Sequence, residues 1–476
     1  MRFLSDSWPY ITAILSTLVS LTASGHAILY KRDVRAALGW VGIIWLAPFV
    51  GSLLYFLFGI NRIRRRAHAL RVDSDPPPGE TVRGSSAAPD APHLNELARL
   101  VGKVTEDPLL AGNSITVLKG GTEAYPEMIH AISSAKHSVA LSSYIFNYDK
   151  IGEAFVSALK DAVDRGVEVR VLVDAVGSRY RSPNIVSVLE RKNVRAATFL
   201  PSVLPWRFHY ANLRNHRKIL VVDGRTAFTG GMNIQEENAF ADEAPDAVRD
   251  THFRVTGPVV TQLQRCFATD WAFTEEETLS GEAWFPEPKA SEPGQMICRT
   301  IPDGPDEDLD KLRWTLLGAL ATARSSITII TPYFLPDTAL ITALNVAAMK
   351  GVRVDIILPE KGNLRLVQWA STAQLWQVVE RGCHVWLAPP PFDHSKILVI
   401  DEHWSLLGSA NWDPRSLRLN FEVNVECYDR ELAAELEEHA RVKRDVAREV
   451  GLEELDGRPL PTRLRDGIAR LFSPYI

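Results

Sequence analysis

The chain lacks the features that mark several common protein classes. Its 476 residues carry no basic excess, with a formal net charge of -5, whereas a nucleic-acid binder normally shows a positive balance or stripe. The four cysteines, Cys266, Cys298, Cys383 and Cys427, are widely scattered, with neither a Cys-x-x-Cys pair nor a metal-ligand spacing. That argues against a disulfide framework or a metal site and predicts buried or free thiols in a reducing compartment. Charge is missing altogether from two stretches near the N-terminus: residues 8–30 and 36–60 contain no Asp, Glu, Lys or Arg.

Each uncharged run exceeds the ~20 residues that cross a hydrocarbon core as a helix. Pro9 and Pro48 do not exclude a span. Trp8, Tyr10 and Tyr30 sit near the ends of the first run, where aromatic rings favour the interface. With Lys31, Arg32, Asp33 and Arg35 as connector, the pattern predicts a two-helix transmembrane hairpin over residues 1–66. One rival is a secretory signal, for which the first run is long and the second superfluous. The other is a buried soluble hairpin, which the nearly all-round apolar character opposes. Arg2, Arg62, Arg64, Arg65, Arg66 and Arg71 flank the open end, against Lys31, Arg32 and Arg35 at the tip. The positive-inside rule then predicts a multi-pass protein of the cytoplasmic (inner) membrane with its large C-terminal part in the cytoplasm.

Residues 67–95 contain RVDSDPPPGETVRGSSAAPDAP and read as a flexible linker. Two similar halves follow, 96–280 and 281–476, parted by an acidic, proline-containing stretch at 275–296. In the first, VALSSYIF leads through EAFVSALKDAVDRG into VEVRVLV. In the second, ITIITPYF leads through ALITALNVAAMKG into VRVDIIL, with Tyr144 matching Tyr333 and Gly166 matching Gly351. Strand, helix and strand alternate in each, predicting an α/β fold with a largely parallel sheet covered by helices.

Each half then carries a longer pattern, NHRKILVVDGRTAFTGGMN and DHSKILVIDEHWSLLGSAN. Both place Lys two residues after His, Asp seven after, and Asn seventeen after: His216, Lys218, Asp223 and Asn233, then His394, Lys396, Asp401 and Asn411. On a strand, His and Lys fall on one face, and the Gly-x-x-Asn turn lets backbone approach an anion. Phosphodiester chemistry needs a nucleophile, an acid for the leaving alkoxide and cations on the phosphoryl oxygens. Two histidines supply the first two, and two lysines and two asparagines supply the third. Carboxylates downstream orient each imidazole through its other nitrogen: Glu422 in the second half, with Asp250 in the corresponding place of the first. One His-x-Lys-x4-Asp signals little; two copies with the same extension in matching halves signal one bipartite site. A Lys two residues from each His argues against a metal reading.

These motifs resemble the paired HKD motifs of the phospholipase D superfamily, and the chain is similar to its bacterial cardiolipin synthases. The similarity extends to YIFNYDKIGEAF, TPYFLPD, GSANWDPRSLRLNFE and the terminal ARLFSPYI. The resemblance implies two pseudo-symmetric phospholipase D-like αβ sandwich halves behind the membrane hairpin. It implies phosphatidyl transfer between two phosphatidylglycerol molecules, with His216 as nucleophile and His394 as acid. The catalytic set it implies is His216, Lys218, Asp223, His394, Lys396 and Asp401; phosphate would be held by Lys218, Lys396, Asn233, Asn411 and Ser409, with no metal or cofactor. Its partners are then phospholipid and membrane, with no nucleic acid, and the pattern carries no signal for an oligomeric state. Gly231 stands where a serine is usual, as at Ser409. Asp393 precedes His394 where an apolar or small residue is expected; it either raises that histidine's pKa or faces solvent. Arg415 and Arg418 are candidate lipid-phosphate contacts, with loop charge or a carboxylate pair as the alternative. Trp206 and Phe208 are candidate entrance residues, with ordinary aromatic packing the alternative. The segment TRLRDGIARLFSPYI is amphipathic and suits either a membrane surface or ordinary packing. Hydrolysis by water, another head-group transfer, a nuclease and a non-enzymatic membrane scaffold are the competing functions.

Overall fold

The computed structural model describes residues 2–31, 34–59, 88–201, 213–239, 247–287, 294–305 and 309–473. The chain divides into two units, 1–71 with 202–212, and 72–201 with 213–476. In the first unit, α1 (Arg2–Tyr30) packs against α2 (Val34–Leu46) and α3 (Pro48–Leu54) through Ala27, Ile44 and Tyr55. His26 Nδ1 and the Tyr55 hydroxyl lie 2.8 Å apart. Among the described residues one helix, Tyr10–Tyr30, is long and apolar enough to cross a membrane. The second uncharged run is not one continuous span. It breaks at Ala47, because Pro48 has no N–H to donate and its ring crowds the carbonyl four residues back. Leu15, Leu18, Leu21, Ile28 and Leu29 of α1 face outward.

The second unit is built on one twisted sheet that runs through both sequence halves. The first half supplies β1 (Leu110–Lys119), β2 (Ser138–Ser143), β3 (Glu168–Asp174), β4 (Ala196–Phe199), β6 (Ile219–Val222), β7 (Thr226–Gly230) and β9 (Thr251–Thr256), in the order β4-β3-β2-β6-β7-β9-β1. The second repeats it with β10 (Met296–Asp303), β11 (Ser326–Ile330), β12 (Arg353–Pro359), β13 (His384–Ala388), β15 (Ile397–Ile400), β16 (Trp404–Gly408) and β17 (Asn420–Tyr428), in the order β13-β12-β11-β15-β16-β17-β10. The halves join at the antiparallel pair β1 and β10, where Leu110 faces Cys298. The sheet is mixed rather than largely parallel. β2, β3 and β4 run parallel, but β6 and β7 form a hairpin. The three-residue connection between them is too short for the crossover that a parallel pair requires.

The central strands β2, β6 and β15, the last two from the repeated motifs, are buried along their whole length, so helices must cover both faces of the sheet. Two large cores result, one beneath Tyr125, Phe146, Phe155 and Phe228, the other beneath Ile329, Phe334, Ile356 and Trp404. Helix α4 (Asn95–Thr105), counted with the first half by sequence, packs Leu97 and Val101 into the core of the second. All four cysteines are free and buried. Two of them, far apart in sequence, meet as cross-strand neighbours: Cys298 and Cys427 lie opposite each other with Sγ atoms 3.3 Å apart.

Candidate active site

Two short parallel pairings bring the motifs together across the halves. β5 (Arg214–Asn215) adds to β17, and β8 (Val248–Arg249) pairs with β14 (Phe392–Asp393). The His216 N–H then donates to the Phe421 carbonyl (2.9 Å) and the His394 N–H to the Arg249 carbonyl (2.7 Å). Each histidine is thereby tied to the strand of the opposite half that carries a carboxylate. The rings end 6.5 Å apart, centre to centre, at an interplanar angle of 81°.

The carboxylates are crossed relative to the sequence expectation. His216 Nδ1 lies 3.0 Å from Glu422, and His394 Nδ1 lies 2.8 Å from Asp250. An ionised carboxylate can only accept, so each Nδ1 carries a hydrogen and each Nε2 is left for substrate, as a lone pair in the neutral ring and as a donor in the imidazolium. Neither Nε2 has a hydrogen-bond partner among the described residues.

The two carboxylates differ in support. Ser409 Oγ donates to Glu422 Oε2 (2.5 Å) and Asn420 Nδ2 donates to Oε1 (3.0 Å). Burial pushes Glu422 up, but His216, Lys218 and Ser409 outweigh it and hold the carboxyl below its usual range. Ser409, expected on phosphate, thus spends its one hydroxyl hydrogen on Glu422. Opposite it, a Cβ on Gly231 would lie 2.4 Å from Asp250 Oδ1. The shorter aspartate occupies the space that a serine would fill, and takes the Thr251 N–H (2.8 Å) instead.

The lysines lie beside the imidazoles. Lys218 Nζ donates to the His216 carbonyl (2.7 Å) and sits 5.5 Å from the Tyr144 ring centre. Lys396 donates to the His394 carbonyl and approaches His394 Nδ1 to 2.9 Å. Burial pushes Lys218 down to about 7 and Lys396 down to about 8. It pushes His216 down to about 4, and burial followed by the Lys396 charge lowers His394. Two desolvated ammonium groups beside two unpartnered imidazole nitrogens form a pocket that a phosphodiester anion would stabilise. Asn233 accepts the Ile145 N–H (3.2 Å) through Oδ1, which leaves its amide donors for a ligand. Asn411 Nδ2 meets Ser416 Oγ at 3.3 Å, and its Oδ1 has no partner. The matching tyrosines flank the rings, Tyr144 at 5.1 Å from His216 and Tyr333 at 6.3 Å from His394.

Asp223 and Asp401 are placed elsewhere. Five residues of extended chain put each roughly 16 Å from its lysine. Asp223 accepts the N–H groups of Lys136, His137 and Ser138. Asp401 accepts those of Arg324, Ser325 and Ser326, and meets His93 Nε2 at 3.0 Å. Both adopt positive φ, 50° and 52°. They anchor a turn to the start of a central strand and do not touch the phosphate-binding groups. Asp401→Ala strands three backbone donors, so a loss of about 2–4 kcal/mol is expected. Thermal unfolding should read this as a lower midpoint, with near-normal specific activity well below it; a lost activity at an unchanged midpoint would refute the anchoring role.

Asp393 neither faces solvent nor touches the His394 ring. It is buried, accepts the Ser395 N–H (2.9 Å) and pairs with Lys443. Arg415 is partly buried, with its pKa lowered by burial and then by Arg214, and Arg418 is exposed. Trp206 and Phe208 lie outside the described residues. Sequence reasoning missed three supports. Asp174 accepts the Asn215 N–H (2.8 Å) and so fixes the strand before His216. Asn420 holds Glu422. Arg217, inside the first motif, pairs with Asp270 (2.6 Å) and donates to the Glu422 carbonyl (3.0 Å). The only signal was a charge between apolar runs, in LVDA and RCFATDW.

A family model described as "Cardiolipin synthase, PLD-like domain" matches residues 128–271 and 316–442, one stretch in each half. The chain belongs to the phospholipase D-like cardiolipin synthase family. A second model, "phospholipase D-nuclease N-terminal", matches residues 18–59. Curated cardiolipin synthases resemble the chain along nearly its whole length. That of Geobacillus kaustophilus is 32% identical over 98% of this chain and 94% of its own. The major cardiolipin synthase of Bacillus subtilis is 31% identical over 94% and 95%. A solved phosphatidylserine synthase from Haemophilus influenzae shares the fold, with a TM-score of 0.63 at 16% identity over 80% of this chain and 100% of that one.

Proposed function

We propose that the protein is a membrane-bound cardiolipin synthase working at the cytoplasmic face. It joins two phosphatidylglycerol molecules and releases glycerol, through a phosphatidyl-histidine intermediate. The observation that carries this reading is the facing pair of imidazoles, each with Nδ1 on a carboxylate and Nε2 open. Membership of the family supports the product, and the arginines flanking the hairpin's open end support the side.

In the proposed first step His216 Nε2 attacks phosphorus while the bond to the glycerol oxygen breaks. His394 Nε2 gives that oxygen its proton. In the second step neutral His394 takes the proton of an incoming phosphatidylglycerol hydroxyl, whose oxygen displaces His216 from phosphorus. Lys218, Lys396, Asn233 and Asn411 hold the non-bridging oxygens. Glu422 and Asp250 keep the imidazoles in the required tautomer and position. Well-supported Glu422 favours a neutral, nucleophilic His216. Asp250, with fewer donors, is the stronger partner for an imidazolium at His394.

The test is the product. Reconstituted protein with phosphatidylglycerol should give cardiolipin and glycerol; phosphatidic acid alone would overturn the reading in favour of hydrolysis. The depressed lysines add a pH expectation. Free enzyme loses phosphate-binding charge as pH rises through about 7 and 8, so kcat/KM should fall across that range. The His394 acid loses its proton in the same direction. His216, held down to about 4, stays neutral throughout. A bound phosphodiester raises both lysines, so kcat should hold to higher pH than kcat/KM. A kcat/KM flat from about pH 6 to about pH 9 would sink this account.

A further inference from the structure

The C-terminal helix Leu460–Leu471 has two unlike faces. Asp466 and Ala469 are buried. Ala469 joins Leu335, Val367 and Ala370 in a small apolar cluster, and Asp466 pairs with Arg458 and Arg465. These contacts seat the helix on the helix Arg365–Thr372. At 3.6 residues per turn, Leu460, Leu464, Ile468 and Leu471 share the opposite face. They are 57–76% exposed, and Phe472 beside them is 51% exposed. Arg463 and Arg470 run along one edge of that stripe and Arg465 along the other. No described carboxylate pairs with Arg463 or Arg470.

The helix that carries the stripe is linked to the reacting groups through its buried face. Tyr333 packs against the cluster that holds Ala469, and its ring lies 6.3 Å from His394. At the start of the supporting helix Leu364 and Leu366 are also exposed.

We propose that this face docks on an anionic bilayer and holds the mouth of the site against the surface from which lipid is drawn. An apolar stripe edged by Arg463 and Arg470, which no described carboxylate pairs, matches what an acyl-chain boundary and its phosphates accept, while Arg465 on the other edge is held by Asp466 and lies over Trp369. Packing within the described chain does not use this face, since the side chains stand exposed. Two copies meeting face to face would bring arginine edges together, whereas anionic headgroups neutralise them. The inference rests on the lipid-substrate reading above, but contact with the bilayer can be measured without turnover.

Because the four native cysteines are buried, a thiol-reactive, environment-sensitive label can be directed to Ile468→Cys in the full chain. In phosphatidylglycerol bilayers with brominated acyl chains, its emission should shift blue and be quenched. A label at exposed Glu435→Cys should stay unquenched, and neutral lipid should weaken quenching at 468. An unquenched label at 468 overturns the proposal. So does protection at 468 in detergent that grows with protein concentration, which would mean a second copy. The variant Leu464→Glu with Ile468→Glu should lose about tenfold in kcat/KM on vesicles while keeping its rate on a soluble short-chain donor. Equal rates on vesicles would also overturn it. A quenched label in protein that makes no cardiolipin supports the docking face and counts against the substrate reading instead.

Discussion

His216→Ala is expected to abolish both turnover and covalent capture of a labelled phosphatidyl group. His394→Ala should keep capture, slowly, and lose turnover by roughly 10²–10⁴-fold. The two rings hold matching places in the two halves, yet their surroundings differ. His216 faces a carboxylate bonded by Ser409 and Asn420 on separate oxygens, so that carboxylate competes less for a proton, and burial keeps the imidazole neutral. A neutral imidazole with an open Nε2 is a nucleophile. His394 faces Asp250, which takes one backbone N–H besides the ring. An imidazolium there is better supported, as an acid requires. Acid-quenched protein incubated with a phosphatidyl donor labelled in its acyl chain gives the reading directly. Label retained in His216→Ala and lost in His394→Ala would reverse the roles. Label retained in both would mean that neither histidine is the required point of attachment.

Much of this site was legible because the chain wrote it twice. The identical spacing from His to Lys to Asp to Asn marked the two copies, and the strand order repeats between the halves; the expected strand, however, starts only after the lysine, at Ile219 and Ile397, and His216, Lys218, His394 and Lys396 lie in the irregular link before it. What the spacing could not carry was pairing at a distance. β5 and β14 are two residues each, too short for any periodic signal, and both pair with strands of the other half. A within-half alignment therefore assigned each histidine the carboxylate of its own repeat. The aspartates of the motif misled for a related reason. A carboxylate seven residues from a histidine suits a catalytic list, but the side chain reaches backbone N–H groups 75–87 positions upstream. Pro48 tells a local version of the same story: hydropathy read the second apolar run as continuous, and the missing N–H divided it.

Crossing of the carboxylates has a sharp consequence for Glu422→Gln and Asp250→Asn. Each substitution keeps shape and removes the charge that fixes an imidazole tautomer, so each should cost roughly 10²–10⁴-fold in turnover. The step affected should differ. Glu422→Gln acts on His216, so it should suppress formation of the labelled intermediate. Asp250→Asn acts on His394, so label should still form while proton transfer, and with it turnover, falls. Pairing within each repeat would give the opposite assignment, and equal effects on both steps would mean that the carboxylates serve folding alone. Thermal unfolding separates that last case. Glu422 is wholly buried among His216, Ser409 and Asn420, so its amide leaves one donor facing another and should lower the midpoint as well. The decisive quantity is therefore the ratio of labelling rate to turnover in each variant, which a loss of folded protein leaves unchanged. Because each carboxylate comes from the other half, neither repeat holds a complete imidazole pair: the active unit is the joined sheet, and the chemistry belongs to its seam.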